Sequence, residues 1–135
     1  MIITNLKSLN KKCSPILVFD ATKIIKRLED ELALTYGIGL ASNQIGIDVA
    51  VCIIRLSDFK LDLVNPVILK QSKPIVFKGE QCLSFPGQKI NTRRFNEVVI
   101  KDDFNGELKL MGLKAIVAAH EIGHTMGLTM FDFKV

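Results

Sequence analysis

The stretch VAAHEIGHTMG, residues 117–127, decides how this chain is read. It holds the only two histidines of the sequence, His120 and His124, with Glu121 directly after the first. From Leu113 onward the apolar residues recur at helical spacing, so Leu113, Ile116, Val117, His120 and His124 fall on or near one face of a helix. Positions i and i+4 of a helix lie about 5–6 Å apart between Cβ atoms. Two imidazoles so placed can grip one metal ion. Glu121 projects roughly 100° further around the axis, where its carboxylate can reach a metal-activated water rather than the metal itself. That is the position of a general base.

A catalytic site of this type needs three protein ligands and one open position. Residues 125–135 contain no histidine, and Asp132 is their only acid. The third ligand is therefore expected upstream. Cys82, in GEQCLSFPG at 79–87, is the candidate, because a thiolate binds borderline divalent metals strongly and Gly79, Pro86 and Gly87 mark a shaped loop; a buried structural cysteine is the competing reading. YGIGLASNQIG at 36–46 is a second conspicuous segment, whose Gly37 and Gly39 would let backbone approach a ligand closely. It lacks both the G-x-G-x-x-G spacing and a Lys-Ser/Thr ending, which speaks against nucleotide binding. Its notable polar side chain is Gln44.

Working outward, a chain of 135 residues with 48% hydrophobic composition is expected to form one domain, 1–135, around one core. Eighteen basic residues against fourteen acidic ones give a net charge of +4. They are scattered rather than blocked, which argues against nucleic acid as a partner. No apolar run approaches the ~20 residues of a membrane span, and the start MIITNLKSLNKK has its lysines after the apolar residues, opposite to a secretory signal. The expected location is the cytoplasm. There the three cysteines stay reduced; Cys52, in VAVCIIRL, reads as a buried hydrophobe and Cys13 as a polar-loop residue.

Ile24, Ile25, Leu28 and Leu32 form one stripe in DATKIIKRLEDELALTY, predicting an amphipathic helix from Asp20 to Tyr36. Asp20 or Thr22 is its expected N-cap, and Gly37 a left-handed C-cap. VAVCIIRL, DLVNPVIL and KPIVF read as strands. Asn105-Gly106 predicts a type I′ hairpin turn. Gly123 inside the second helix costs ~1 kcal/mol relative to alanine, for which a close backbone contact would be the reason. The expected fold class is α+β, with antiparallel or mixed sheets packed around a buried helix carrying the His-Glu-x-x-His motif.

Three segments in this order resemble the peptide deformylases: GIGLASNQ at 37–44, with Ser42 for the family's second alanine; EQCLS at 80–84, with Gln81 for glycine; and HEIGH at 120–124, with Gly123 where aspartate is frequent. LVNPVI at 63–68 extends the likeness. The resemblance implies hydrolysis of the formyl group from N-formylmethionyl nascent peptides, with release of formate. It implies one divalent metal on Cys82, His120 and His124, natively Fe(II), with Zn, Ni or Co tolerated. Glu121 would be the general acid/base, and Gln44 and the Leu83 backbone N–H would hold the oxyanion. Ile38, Gly39, Gln81, Ile116 and Val117 would line the methionine pocket. Glu80 would pair with Arg94 behind the loop of Cys82.

Gln81 narrows the pocket wall, and Lys89 stands where many bacterial members have an arginine near the substrate backbone. The sequence stops at Val135, like phage-encoded forms that lack the C-terminal helix used for ribosome docking. The expected protein is a monomer that acts on nascent chains near the ribosome without that helix, in the host cytoplasm if phage-encoded. Two other readings stand beside this one. A His-Glu-x-x-His endopeptidase is disfavoured by the missing downstream ligand. A non-catalytic, metal-stabilised binding module would have no use for Gln44 and Glu121.

Overall fold

Val51, Cys52, Ile53 and Ile54 are all fully buried, so four successive side chains, which a strand sends alternately to opposite faces, find apolar cover on both sides. The computed structural model describes residues 1–135. Its elements are α1 (Leu6–Leu9), α2 (Ala21–Ala33), β1 (Gly39–Ala41), β2 (Val51–Leu56), β3 (Phe59–Val64), β4 (Val67–Glu80), β5 (Ile90–Asp102), β6 (Gly106–Met111) and α3 (Leu113–Thr125). Short 3₁₀ turns occupy Val18–Asp20, Ser42–Ile45 and Met130–Phe133.

Two antiparallel three-stranded sheets, β1-β2-β3 and β4-β5-β6, hold α3 between them. One core joins Cys52 and Ile54 of β2, Leu61 and Leu63 of β3, Val98 and Ile100 of β5, and Ala115, Ala118 and Ile122 of α3. The other lies on the far face of the first sheet, where Val51 and Ile53 meet Ala21, Ile25, Leu28 and Leu32 of α2. A strand covered on both faces reads as a continuous apolar run rather than an alternating one. That is why VCII carries no polar residue. The architecture is the α+β frame expected, with the His-Glu-x-x-His helix at its centre.

Several local expectations are corrected. Helix α2 stops at Ala33, and Gly37 is no C-cap, because the cap position falls on Leu34 and Gly37 does not adopt positive φ. Gly37 is instead a steric slot, since a Cβ there would stand 2.7 Å from Leu83 Cδ1. The β5–β6 hairpin pairs Asp102 with Gly106 across Asp103, Phe104 and Asn105. Gly106 has φ +74°, while Asn105 is not left-handed, so the turn is not type I′. The Asp102 carboxylate organises it, accepting from the backbone N–H groups of Phe104 and Asn105 at 3.0 Å each and from Val64 N at 2.9 Å. Such side-chain acceptance satisfies backbone N–H groups of the turn locally.

KPIVF is not a separate strand. It continues β4 past a register shift between Ile68 and Lys70, with Lys73 at φ 60°. Cys13 lies in a loop as expected, but a buried one: its N–H donates to the Thr125 carbonyl at 2.8 Å, and burial with nearby Asp48 pushes its thiol up to about 11. Cys52 is buried as expected.

Gly123 has no close backbone neighbour, the nearest atom to an added Cβ being Leu128 Cβ at 3.9 Å. Gly127 is the glycine the packing requires, with φ +82° and the Lys11 carbonyl carbon 2.8 Å from where a Cβ would be. Gly123→Ala is therefore expected to stabilise the metal-free protein by ~0.5–1 kcal/mol, read from its denaturant midpoint. A lower midpoint would reveal a conflict at that position.

Candidate metal centre

Helix α3 presents His120 and His124 on one side, with ring centroids 5.0 Å apart. The loop after β4 brings Cys82 to them, its Sγ 3.3 Å from His124 Nε2. One ligand atom from each of Cys82, His120 and His124 lies within 4.8 Å of the others. The upstream cysteine thus lies beside the two histidines.

Both histidines are tied to neighbouring elements. His120 Nδ1 lies 2.7 Å from Glu80 Oε2, which leaves Nε2 for the site. Glu80 also takes two bonds from Arg94, Nε to Oε1 at 2.9 Å and Nη2 to Oε2 at 2.6 Å, and one from the Thr92 hydroxyl at 2.7 Å. Asn43 Nδ2 donates to the His124 carbonyl at 2.7 Å, tying the second histidine's backbone to the loop after β1. An outer partner such as Glu80 sets the orientation and basicity of the His120 ring.

Gln44 is almost wholly buried. Its Oε1 accepts from Ala41 N at 3.0 Å, which turns its amide NH₂ toward Ser84 Oγ at 3.0 Å and Cys82 Sγ at 3.5 Å. The Leu83 N–H is taken by no acceptor within the protein. Ser42, at the position where the first motif differs, donates to the Val49 carbonyl from a fully buried site.

Glu121 packs over β1. A Cβ on Gly39 would stand 2.5 Å from Glu121 Oε2, so this glycine makes room for the carboxylate rather than for a ligand. Burial pushes Glu121 up to about 7, against the attraction of His120. Burial and the charge of His120 together drive His124 well below its ordinary range. For His120 burial also acts downward, yet hydrogen bonds to Cys82 and Glu80 overcome it and raise the imidazole to about 10. Glu121 Oε1 and His124 Nδ1 are buried without a protein hydrogen-bond partner. A donor set of one sulfur and two nitrogens, with a buried carboxylate atom to spare, fits a divalent cation.

A cavity of about 450 Å³ opens onto these groups. Ile38, Gly39, Gln81, Ile116 and Val117 all line it, with Gln44, Cys82, Leu83, His120 and Glu121. Lys89 does not. Phe77, Tyr36 and Phe85 line it as well. Sequence reasoning missed Phe77 because it reads as an ordinary strand residue, and missed Asn43 and Thr92 because a lone amide or hydroxyl has no spacing to betray it.

Thiolate and imidazole donors meeting beside a buried acid can, with a divalent cation, cut a polarised bond with water. By fold and site this is a metal-dependent hydrolase. The profile of the polypeptide deformylase family matches residues 2–134. The peptide deformylase of Aquifex aeolicus is 37% identical over 123 residues, covering 84% of this chain and 72% of that protein. Among solved structures, the peptide deformylase of Legionella pneumophila superposes with a TM-score of 0.89 at 28% identity, covering all of this chain and 85% of the other. The deformylase of the Vibrio parahaemolyticus bacteriophage VP16T, crystallised with actinonin, gives a TM-score of 0.85 at 28% identity, covering 95% of this chain and 98% of the phage chain. The chain belongs to the polypeptide deformylase family, metal-dependent hydrolases that remove the N-formyl group from nascent peptides. No helix is long and apolar enough to cross a membrane.

Proposed function

We propose that Cys82, His120 and His124 hold one divalent cation, Fe(II) in the native protein, and that Glu121, Gln44 and the Leu83 N–H use it to hydrolyse the formyl amide of N-formylmethionyl peptides. The single observation that carries this reading is the convergence of the three ligand atoms within 4.8 Å beside a buried, unpartnered carboxylate oxygen. The bound cation supplies Lewis acidity for water and for the formyl carbonyl; Zn, Ni or Co would serve from the same donors.

Glu121 accepts the proton of the attacking water and returns it to the departing amine. In the metal-free protein it sits at about 7, and a neighbouring cation favours the ionised form that a base needs. The Gln44 amide, fixed by Ala41 N, donates to the oxyanion together with the unused Leu83 N–H. Ile38, Ile116 and Val117 receive the methionine side chain, and Gln81 narrows the rim. A closed structural metal site would leave Glu121 without a task. The same reading makes the protein a cytoplasmic monomer acting on chains that leave the ribosome.

Anaerobically prepared protein loaded with Fe(II) or Ni is expected to release formate from formyl-Met-Ala. Metal retention without formate release would overturn the enzymatic reading. Cys82→Ala should weaken metal binding by more than the ~10–100-fold that loss of an outer partner costs, measured by chelator competition. Unchanged affinity would remove Cys82 from the ligand set.

A further inference from the structure

The 3₁₀ turn Met130–Phe133 belongs to no part of the mechanism, yet it touches both arms of the metal centre. Phe133 lies under the Arg94 guanidinium, 4.4 Å from ring centroid to Cζ. That guanidinium makes the paired bonds to Glu80, and Glu80 holds His120. Two residues earlier, Phe131 meets Phe85 edge to face at a centroid distance of 4.8 Å, and the Phe85 N–H donates to the Cys82 carbonyl at 3.0 Å. One four-residue turn therefore contacts the network behind His120 and the loop that carries Cys82.

The turn is itself pinned. Thr129 N donates to Asp132 Oδ2 at 2.8 Å and Phe131 N to Thr129 Oγ1 at 3.3 Å, closing it at its start. Beyond it Val135 N donates to the Asn91 carbonyl at 2.9 Å, and Lys134 bridges to Thr92 on β5. Thr92 is the residue whose hydroxyl also reaches Glu80. The turn follows α3 across Gly127, so the helix bearing both histidines and the strap across their support are one continuous segment.

We infer that Phe133 and Phe131 are positioning residues for the metal centre, Phe133 through Arg94 and Glu80 to His120, and Phe131 through Phe85 to Cys82. An aromatic face over a guanidinium attracts it by the ring quadrupole and excludes water from its plane. Covered in this way, Arg94 stays flat against Glu80, and Glu80 keeps one oxygen on His120 Nδ1. An edge-to-face aromatic pair is likewise directional, so it sets where the Cys82 loop rests as well as how tightly it packs.

The inference rests on the metal reading proposed above, and the test separates the two. Phe133→Leu keeps an apolar side chain and removes the ring face, whereas Phe133→Trp retains a face for Arg94. Cobalt affinity of each protein is measured by chelator competition, with the visible and thiolate charge-transfer spectrum of the cobalt form and the denaturant midpoint of the metal-free form. Phe133→Leu should lose affinity ~10–100-fold, the size of effect expected for an outer-shell partner. Phe133→Trp should restore it. Phe131→Leu should shift the thiolate charge-transfer band, because it acts on the sulfur side. Unmodified protein that binds no cobalt would sink both readings. Wild-type cobalt affinity and spectrum in the Phe133→Leu and Phe131→Leu proteins, even with lower midpoints, would overturn the positioning role alone, as would equal affinity losses in Phe133→Leu and Phe133→Trp.

Discussion

Glu121→Gln protein is expected to keep its metal and lose formate release by on the order of 10²–10⁴-fold, the contribution of a placed general base. Glutamine has the volume of the carboxylate and leaves the packing over β1 intact, but it cannot take a proton from water. The loss should fall on kcat, because Glu121 is assigned to moving the proton, whereas holding the methionine is assigned to Ile38, Ile116 and Val117. Gly39→Ala supplies an independent check. Its methyl would stand 2.5 Å from Glu121 Oε2, so the carboxylate must move and part of the same loss should follow with a natural glutamate in place. In the unmodified enzyme, activity should fall on the acid side as Glu121 becomes protonated. Since a bound cation favours the carboxylate, that limb should lie below the value of about 7 set by burial in the metal-free protein. A Glu121→Gln enzyme with near-normal kcat would remove the residue from the mechanism.

Glu80→Ala should be among the most destabilising substitutions in the chain, costing ~3–5 kcal/mol as does breaking one partner of a buried ion pair. Side chains of Glu80 and Arg94 are only 5% and 3% exposed, so the guanidinium left behind would have neither a counter-charge nor water. Burial raises the Glu80 carboxyl, but hydrogen bonds from His120 and Arg94 bring it down from 4.5 to about 2. A depression of that size corresponds to ~3 kcal/mol at ~1.4 kcal/mol per unit, near the lower end of the same range. Because the folded value lies below the unfolded one, the stabilisation is present above pH 4.5 and disappears as pH falls toward 2. Denaturant midpoints between pH 6 and pH 2.5 should therefore drop less steeply in Glu80→Gln than in the unmodified protein. A Glu80→Ala midpoint within a few tenths of a kcal/mol of wild type would show that Arg94 finds another partner.

The centre of this fold was legible because its chemistry is periodic. A helix repeat fixes where His120, Glu121 and His124 point, and ligand counting alone sent the search upstream to Cys82. Two-sided burial of β2 likewise wrote itself into VCII. What sequence could not reveal depends on distance across the fold. Gly37 and Gly39 look like a flexible loop, yet they are glycines because Leu83 and Glu121 occupy the space a side chain would need. Asn105-Gly106 has the right residues for one turn, but the Asp102 carboxylate selects another. Thr92, Asn43 and Phe133 have no local pattern, since their partners lie on other elements.

The strand plane between α2 and α3 also decides what surrounds the buried acid. Glu121 rests on Gly39, whose neighbour Leu40 is packed into the layer beneath α2. Only the thickness of a glycine backbone lies between the carboxylate and that hydrocarbon layer. Helix α2 supplies none of the three candidate ligands, but it is the insulation of the site: field lines from Glu121 leaving through Gly39 meet the leucine and isoleucine of that layer instead of water. A 15.0 kDa chain thereby obtains the electrical seclusion of a deep interior from one amphipathic helix laid across its back.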